Sequence, residues 1–247
     1  MLLPQKLQQT LTPAFISSLD LSKKMELLSL LEERERWHQT NQLSLLYPDT
    51  GPLRRELYEK HLEFFAAGNE HRERCMMAAN RVGKTWGVGG YETALHLTGR
   101  YPDWWEGRRF NGPIEAWAAG DTSETTRDIV QSALMGALGS MGTGLIPLED
   151  IIGEPTKRAG VSGAMDTARV KHQSGGTSLV GFKSYDQGRK KFQGTAKHLC
   201  WLDEEPPMDV YTECLTRTMT VKGITLCTFT PLNGATDVSL MFLGMED

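Results

Sequence analysis

Hydrophobic positions follow two different spacings along the chain. Leu21, Met25, Leu28 and Leu31 form a helical stripe whose outer face is the charged run Glu32, Glu33, Arg34, Glu35 and Arg36. The stripe packs on a neighbour in the simplest reading, and docks another subunit in the less economical one. Pro48, Asp49, Gly51 and Pro52 mark a turn, after which Leu53–Ala67 predicts a second helix carrying Tyr58, His61, Phe64 and Phe65. An aromatic there could cover an adenine ring; two phenylalanines at helical spacing are more often core.

Beyond that helix, short apolar runs alternate with helical segments. Cys75–Ala78, Pro113–Ala119, His198–Leu202 and Ile224–Phe229 read as buried strands. Helices are expected up to about Leu97 after the first, over about Thr122–Leu138 after the second, and near Met208–Arg217 after the third. Ala168–His172 and Thr177–Phe182 predict a hairpin turning at Ser174–Gly175–Gly176. The glycine-rich stretch 139–163 is expected to be a long excursion with little regular structure. Strands alternating with helices define an α/β domain, a mainly parallel central sheet flanked by helices. Residues 1–50 are expected to form a short helical N-terminal appendage and 51–247 the main domain.

Composition narrows the picture modestly. The 247 residues carry a formal charge of -4, so contact with nucleic acid would need a local basic patch. Cys75, Cys200, Cys214 and Cys227 are irregularly spaced and read as reduced thiols, not a disulfide framework or zinc knuckle. No apolar run approaches the ~20 residues a membrane span needs. Pro4, Gln5 and Lys6 interrupt the N-terminal apolar residues, which argues against a signal peptide.

The chemistry concentrates where the first strand meets its helix. Ala79, Asn80, Arg81, Val82, Gly83, Lys84, Thr85 and Trp86 form a strand–turn–helix junction around Gly-Lys-Thr. Backbone N–H groups at a helix start attract phosphate, Lys84 can reach β- and γ-phosphates, and the Thr85 hydroxyl can ligate Mg²⁺. The usual pattern has glycine where this chain has Ala78, and a glycine turn beside a solvated lysine is the plain alternative. The second candidate is acidic: Asp203–Glu204–Glu205 at the end of its strand. Asp203 could hold Mg²⁺ and Glu204 orient the attacking water; the same carboxylates could instead cap the next helix. Lys183, Arg189, Lys190, Lys191 and Lys197 precede this strand, as a polyanion surface or as a solvated face.

The order and spacing of these pieces resemble the large terminase subunit of tailed bacteriophages, in its N-terminal packaging ATPase. The matching segments are Ala79–Thr85, Ser184–Gly194, Leu202–Pro206 and Thr228–Pro231, within roughly residues 50–245. The resemblance implies a P-loop NTPase of the ASCE type using ATP and Mg²⁺. Glu204, Lys84 and Arg81 would be its catalytic residues, and Thr85 and Asp203 its metal ligands. Thr228 and Thr230 would couple hydrolysis to movement. Many relatives carry the loop arginine where this chain has Asn80, one position before Arg81. Expected partners are double-stranded DNA, the portal protein, the small terminase subunit and other copies of the chain in a pentameric ring, with no membrane. The implied setting is the host cytoplasm, transiently on the viral procapsid and not in the mature virion. The family's nuclease domain has no room before Asp247, which suggests an ATPase-domain fragment or a short homologue without nuclease activity. A helicase-like or DNA-repair ATPase, and a nucleotide-gated assembly module, are the alternatives.

Overall fold

In the computed structural model, which describes residues 12–232 and 234–244, the first helix starts where the sequence chemistry favours it. Thr12 accepts the Phe15 N–H at 3.2 Å and Pro13 occupies the first helical position of α1, Pro13–Ser18. The next helix, α2, spans Leu21–Thr40, and none of its residues is buried. Residues 1–11 of the expected appendage lie outside the described residues.

The chain clusters into two units that divide between Thr40 and Asn41. Residues 41–50, placed with the appendage from sequence, therefore pack in the larger unit. Their short helix α3, Gln42–Leu45, buries Leu43, and the following Tyr47 is equally enclosed in the main core. The expected Leu53–Ala67 helix is broken: a 3₁₀ turn at Arg55–Leu57 precedes α4, Glu59–Ala67.

The larger unit then follows the strand–helix alternation. β1, Glu73–Met77, leads through a loop into a wide π-helical turn, Lys84–Gly90, that continues as α5, Tyr91–Thr98. β2, Glu115–Gly120, is followed by α6, Ser123–Thr125, a second π stretch at Thr126–Gln131, and α7, Ser132–Met135. Thr122 and Thr125 form a reciprocal capping box at that start. The excursion contributes only a 3₁₀ turn at Leu148–Asp150 and β3, Thr156–Lys157. β4, Met165–Lys171, and β5, Thr177–Ser184, form the expected hairpin, with Gly175 and Gly176 both at positive φ in its turn. β6, Leu199–Asp203, α8, Met208–Met219, β7, Ile224–Phe229, and α9, Asp237–Leu243, complete the order.

Seven strands form one sheet in the order β1-β7-β6-β2-β5-β4-β3. The first five are parallel neighbours, and the last two attach antiparallel. One strand, β7, thus separates the loop strand β1 from the acidic strand β6. Alternation across the pleat explains the continuous apolar runs. Leu199 and Trp201 enter the core shared with α5, whereas Cys200 and Leu202 enter the one shared with α8. All four cysteines are free, and Cys200, Cys214 and Cys227 are buried.

Candidate functional site

Parallel strands bring their C-terminal ends to one edge of the sheet, where ligands bind in open α/β folds. Three of these ends form the site. β1 delivers the loop containing Gly83, whose φ of 85° lets the backbone turn into the helix start. The Gly83 carbonyl accepts from both Gly87 and Val88, at 2.7 and 3.1 Å, and this shared acceptor opens the π turn. Lys84 is largely enclosed, its Nζ donating to the Ala79 carbonyl at 2.8 Å and to Thr230 Oγ1 at 2.7 Å. The Thr230 hydroxyl lies within reach of the Ala78 carbonyl and Asn80 Oδ1, at 2.9 and 2.8 Å.

The acidic strand meets the loop directly. Thr85 Oγ1 donates to the Asp203 carboxylate, 2.9 Å from Oδ1 and 3.1 Å from Oδ2. Asp203 and Thr228 are register partners in neighbouring strands, so Thr228 Oγ1 donates to Asp203 Oδ1 at 2.6 Å. Trp201 lies two residues before Asp203 on the same face and donates Nε1–H to Thr228 Oγ1 at 2.8 Å. Burial pushes the Asp203 carboxyl up to about 7, opposed by the hydrogen bonds from Thr228 and Thr85. Burial also raises Glu204, with Lys84 opposing and Asp121 adding to the shift.

These donors suit a magnesium nucleotide. Mg²⁺ prefers hard oxygens and is commonly held by one or two carboxylates together with substrate phosphates. Asp203 and the Thr85 hydroxyl form such a partial set, and no denser cluster of metal-ligating side chains occurs among the described residues. Beside Gly83 lies a cavity of about 180 Å³ lined by Leu46, Leu53, Tyr58, His61 and Trp86. Phe64 and Phe65 are instead core residues. A larger cavity of about 610 Å³ borders the excursion at Pro155, Arg158 and Val161. None of the loop or acidic-strand residues lines it, so size does not identify the reactive site.

Several supporting residues escape sequence reading because their contacts are long-range. Tyr47 donates to the Gly87 carbonyl at 2.7 Å and lies 2.7 Å from His61 Nδ1, while His61 Nε2 is 3.0 Å from the Val82 carbonyl. This pair clamps the backbone on both sides of Gly83. Trp201 is readable from sequence only as an apolar strand residue. Gly89 makes its position clear: a Cβ there would lie 2.1 Å from Trp201 Nε1.

The basic run does not form one surface. Lys197 is buried and paired with Glu115 at 2.6 Å, and Arg189 is paired with Glu213 at 2.8 Å. Lys183 is half-buried over the Trp117 ring, with its Nζ 5.7 Å from the centroid. Lys190 and Lys191 are exposed on a 3₁₀ turn, Arg189–Phe192. Arg81 is exposed with φ 66°. Trp105 is buried and Trp104 packs beside Tyr47 and Tyr91, so the tryptophan pair anchors its loop.

Fold and site together define a P-loop NTPase fold with an acidic strand opposite the loop. Residues 75–243 match the family described as terminase large subunit, T4likevirus-type, N-terminal, and the chain belongs to that family. It is 38% identical over 250 residues to the terminase large subunit of Salmonella phage P22, covering 93% of this chain and 48% of that protein. The chain therefore spans about half the length of that relative. Among solved structures, the large terminase of a thermophilic bacteriophage in complex with ADP has a TM-score of 0.47 and 16% identity, over 70% of this chain and 37% of that one. A mutant ATPase domain of the Thermus phage P74-26 large terminase has a TM-score of 0.44 and 16% identity, over 66% of this chain and 61% of that one. Among the described residues, no helix is long and apolar enough to cross a membrane.

Proposed function

We propose that this chain is the ATP-hydrolysing motor domain of a terminase large subunit, powering translocation of double-stranded viral DNA into the procapsid. The observation that carries this reading is the Thr85–Asp203 contact at 2.9 Å, which joins the loop helix to the acidic strand beside Lys84. Backbone N–H groups at the helix start and the Lys84 ammonium would hold the phosphates. Thr85 and Asp203 would hold Mg²⁺, which when bound offsets negative charge on the β- and γ-phosphates. Glu204 would orient water toward the γ-phosphate, and Arg81 would reach the transferred group from the loop's outer turn. The cavity lined by Tyr58 and Trp86 would take the base. Thr230, in contact with Lys84, and Thr228, in contact with Asp203, would pass the change of bound phosphate into β7.

The working motor would pair this domain with the portal protein, the small subunit and further copies of itself in a pentameric ring. Such a motor would act in the host cytoplasm while docked on the procapsid. Lys190 and Lys191 would supply sequence-independent phosphate contacts to DNA.

Nucleotide affinity and phosphate release, measured separately, test the reading. Lys84→Ala should lose both. Glu204→Gln should keep ATP affinity and lose about 10²-fold or more in turnover. Wild-type turnover in Glu204→Gln would remove Glu204 from the reaction, and turnover that survives Lys84→Ala would remove the loop.

A further inference from the structure

Glu204 projects from strained backbone. Its φ of 62° lies in the left-handed region, where the Cβ of any residue with a side chain crowds the following carbonyl. The strain persists because the preceding peptide plane is held at both edges. On one edge the Glu204 N–H donates to the Thr228 carbonyl at 3.0 Å. On the other, the Tyr185 phenol donates to the Asp203 carbonyl at 2.9 Å, with the Glu204 carbonyl next at 3.2 Å. The Asp203 carbonyl and the Glu204 N–H belong to one rigid peptide unit, so two opposed bonds fix its rotation. That rotation sets the direction in which the Glu204 side chain leaves the sheet.

Tyr185 is itself firmly placed. It begins the 3₁₀ turn Tyr185–Gln187 at the end of β5, the same sheet edge as Asp203. Asp186 N–H donates to the Asp121 carbonyl at 3.1 Å, and the Asp186 carboxylate accepts from Ser123 N–H at 3.3 Å. The Tyr185 ring is buried, 6.4 Å from Phe192. A buried phenol needs a partner, and one acceptor anywhere would suffice. Here it reaches the two consecutive carbonyls that flank the strained residue.

From this geometry we infer that Tyr185 is a positioning residue for Glu204, acting by locking the Asp203–Glu204 peptide plane. The inference rests on the reading of Glu204 as the water-orienting carboxylate. Tyr185→Phe keeps the ring and removes the bond. In the 247-residue chain, single-turnover phosphate release at saturating ATP should fall about tenfold, since misplacement of a reacting group by ~1 Å can cost 10²-fold. Affinity for a fluorescent ATP analogue and KM should stay within about twofold, the signature of an interaction used only in the transition state. Phe192→Leu loosens the same aromatic cluster without touching the hydroxyl, and it should retain turnover even at an equal or greater loss of melting temperature. Wild-type turnover in Tyr185→Phe, alongside an inactive Glu204→Gln, would overturn the inference alone. So would an equal loss of turnover in Phe192→Leu. Normal turnover in Glu204→Gln would instead overturn the reading beneath it.

Discussion

Four non-glycine residues among those described have positive φ: Tyr47, Arg81, Glu204 and Lys222. Three of them border the phosphate loop or end the acidic strand, which concentrates backbone strain where the chemistry is proposed. Gly89 shows the opposite economy, giving up helix propensity for closeness. Alanine would gain roughly 1 kcal/mol in helix propensity over glycine, but its Cβ would overlap the Trp201 indole. Trp201 is fully enclosed and bonded to Thr228, so the overlap wins. Gly89→Ala should destabilise the chain by about 1–3 kcal/mol in urea unfolding, the range for overpacked cores. A stability gain would show that the helix can move away from β6. Lys84, Thr85, Asp203 and Glu204 could be named as candidates in advance because local order marks a Gly-Lys-Thr turn and an acidic strand end. Trp201, Tyr47, His61 and Tyr185 could not, because their roles depend on partners 14 to 40 residues away or across the sheet.

At the level of elements, β1 and α5 are joined by a buried ion pair. Arg74 Nη1 donates to Glu92 at 3.1 Å and to the Phe64 carbonyl at 2.7 Å. His96 Nε2 lies 3.1 Å from Glu92, and its Nδ1 lies 2.8 Å from the Tyr101 hydroxyl. Tyr101 also accepts the Phe110 N–H at 2.9 Å, which leaves its proton for His96 Nδ1 and the Nε2 proton for Glu92. Burial lowers the His96 pKa, favouring this neutral ring. Burial likewise lowers His61, His172 and His198. Below the ordinary histidine pKa the unfolded chain therefore binds more protons than the folded one, and stability falls with acidification. The urea midpoint should drop between pH 7.5 and 5.5, and His96→Gln should flatten part of that slope. Asp203, pushed up to about 7 by burial, gains one proton in the folded chain and opposes this slope, so a midpoint that rises over the same interval would mean that the four imidazoles together do not stay neutral on folding. None of this network was legible in the sequence, because Arg74 on β1 and Glu92 on α5 lie 18 residues apart and meet only once the strand and helix pack together.

On the scale of the whole molecule, the sheet class followed from the alternation of apolar runs and helices, whereas the strand order, which inserts β7 between β1 and β6, is set by long-range pairing. The boundary of the larger unit did not, because Leu43 and Tyr47 lie before the Pro48–Pro52 turn yet belong to its core. A chain beginning at Asn41 should unfold cooperatively and keep nucleotide affinity. One beginning at Gly51 loses two enclosed side chains and the Tyr47 clamp on Gly87, against a typical domain stability of ~5–15 kcal/mol. Comparable melting transitions for the two would return residues 41–50 to the appendage. The DNA-facing assignment also belongs to this scale and needs the assembled motor. Replacing Lys190 and Lys191 with alanine should lower duplex affinity and reduce the logarithmic salt slope by about 2. Unchanged affinity and slope would exclude this turn from the grip.

The antiparallel margin of the sheet has a practical consequence. β4 and β3 occupy the end of the strand order remote from β1, and six interstrand steps of ~4.8 Å separate β3 from β1 by roughly 29 Å. The Gln173–Gly176 turn is exposed and precedes β5, so it also emerges from the edge of the sheet opposite Asp203 and Thr228. A fluorophore, affinity tag or inserted domain at Gly175–Gly176 would thus be separated from the loop both across the sheet and along its strands. It offers a point of attachment from which a single chain could be tethered or watched while the proposed nucleotide chemistry proceeds undisturbed.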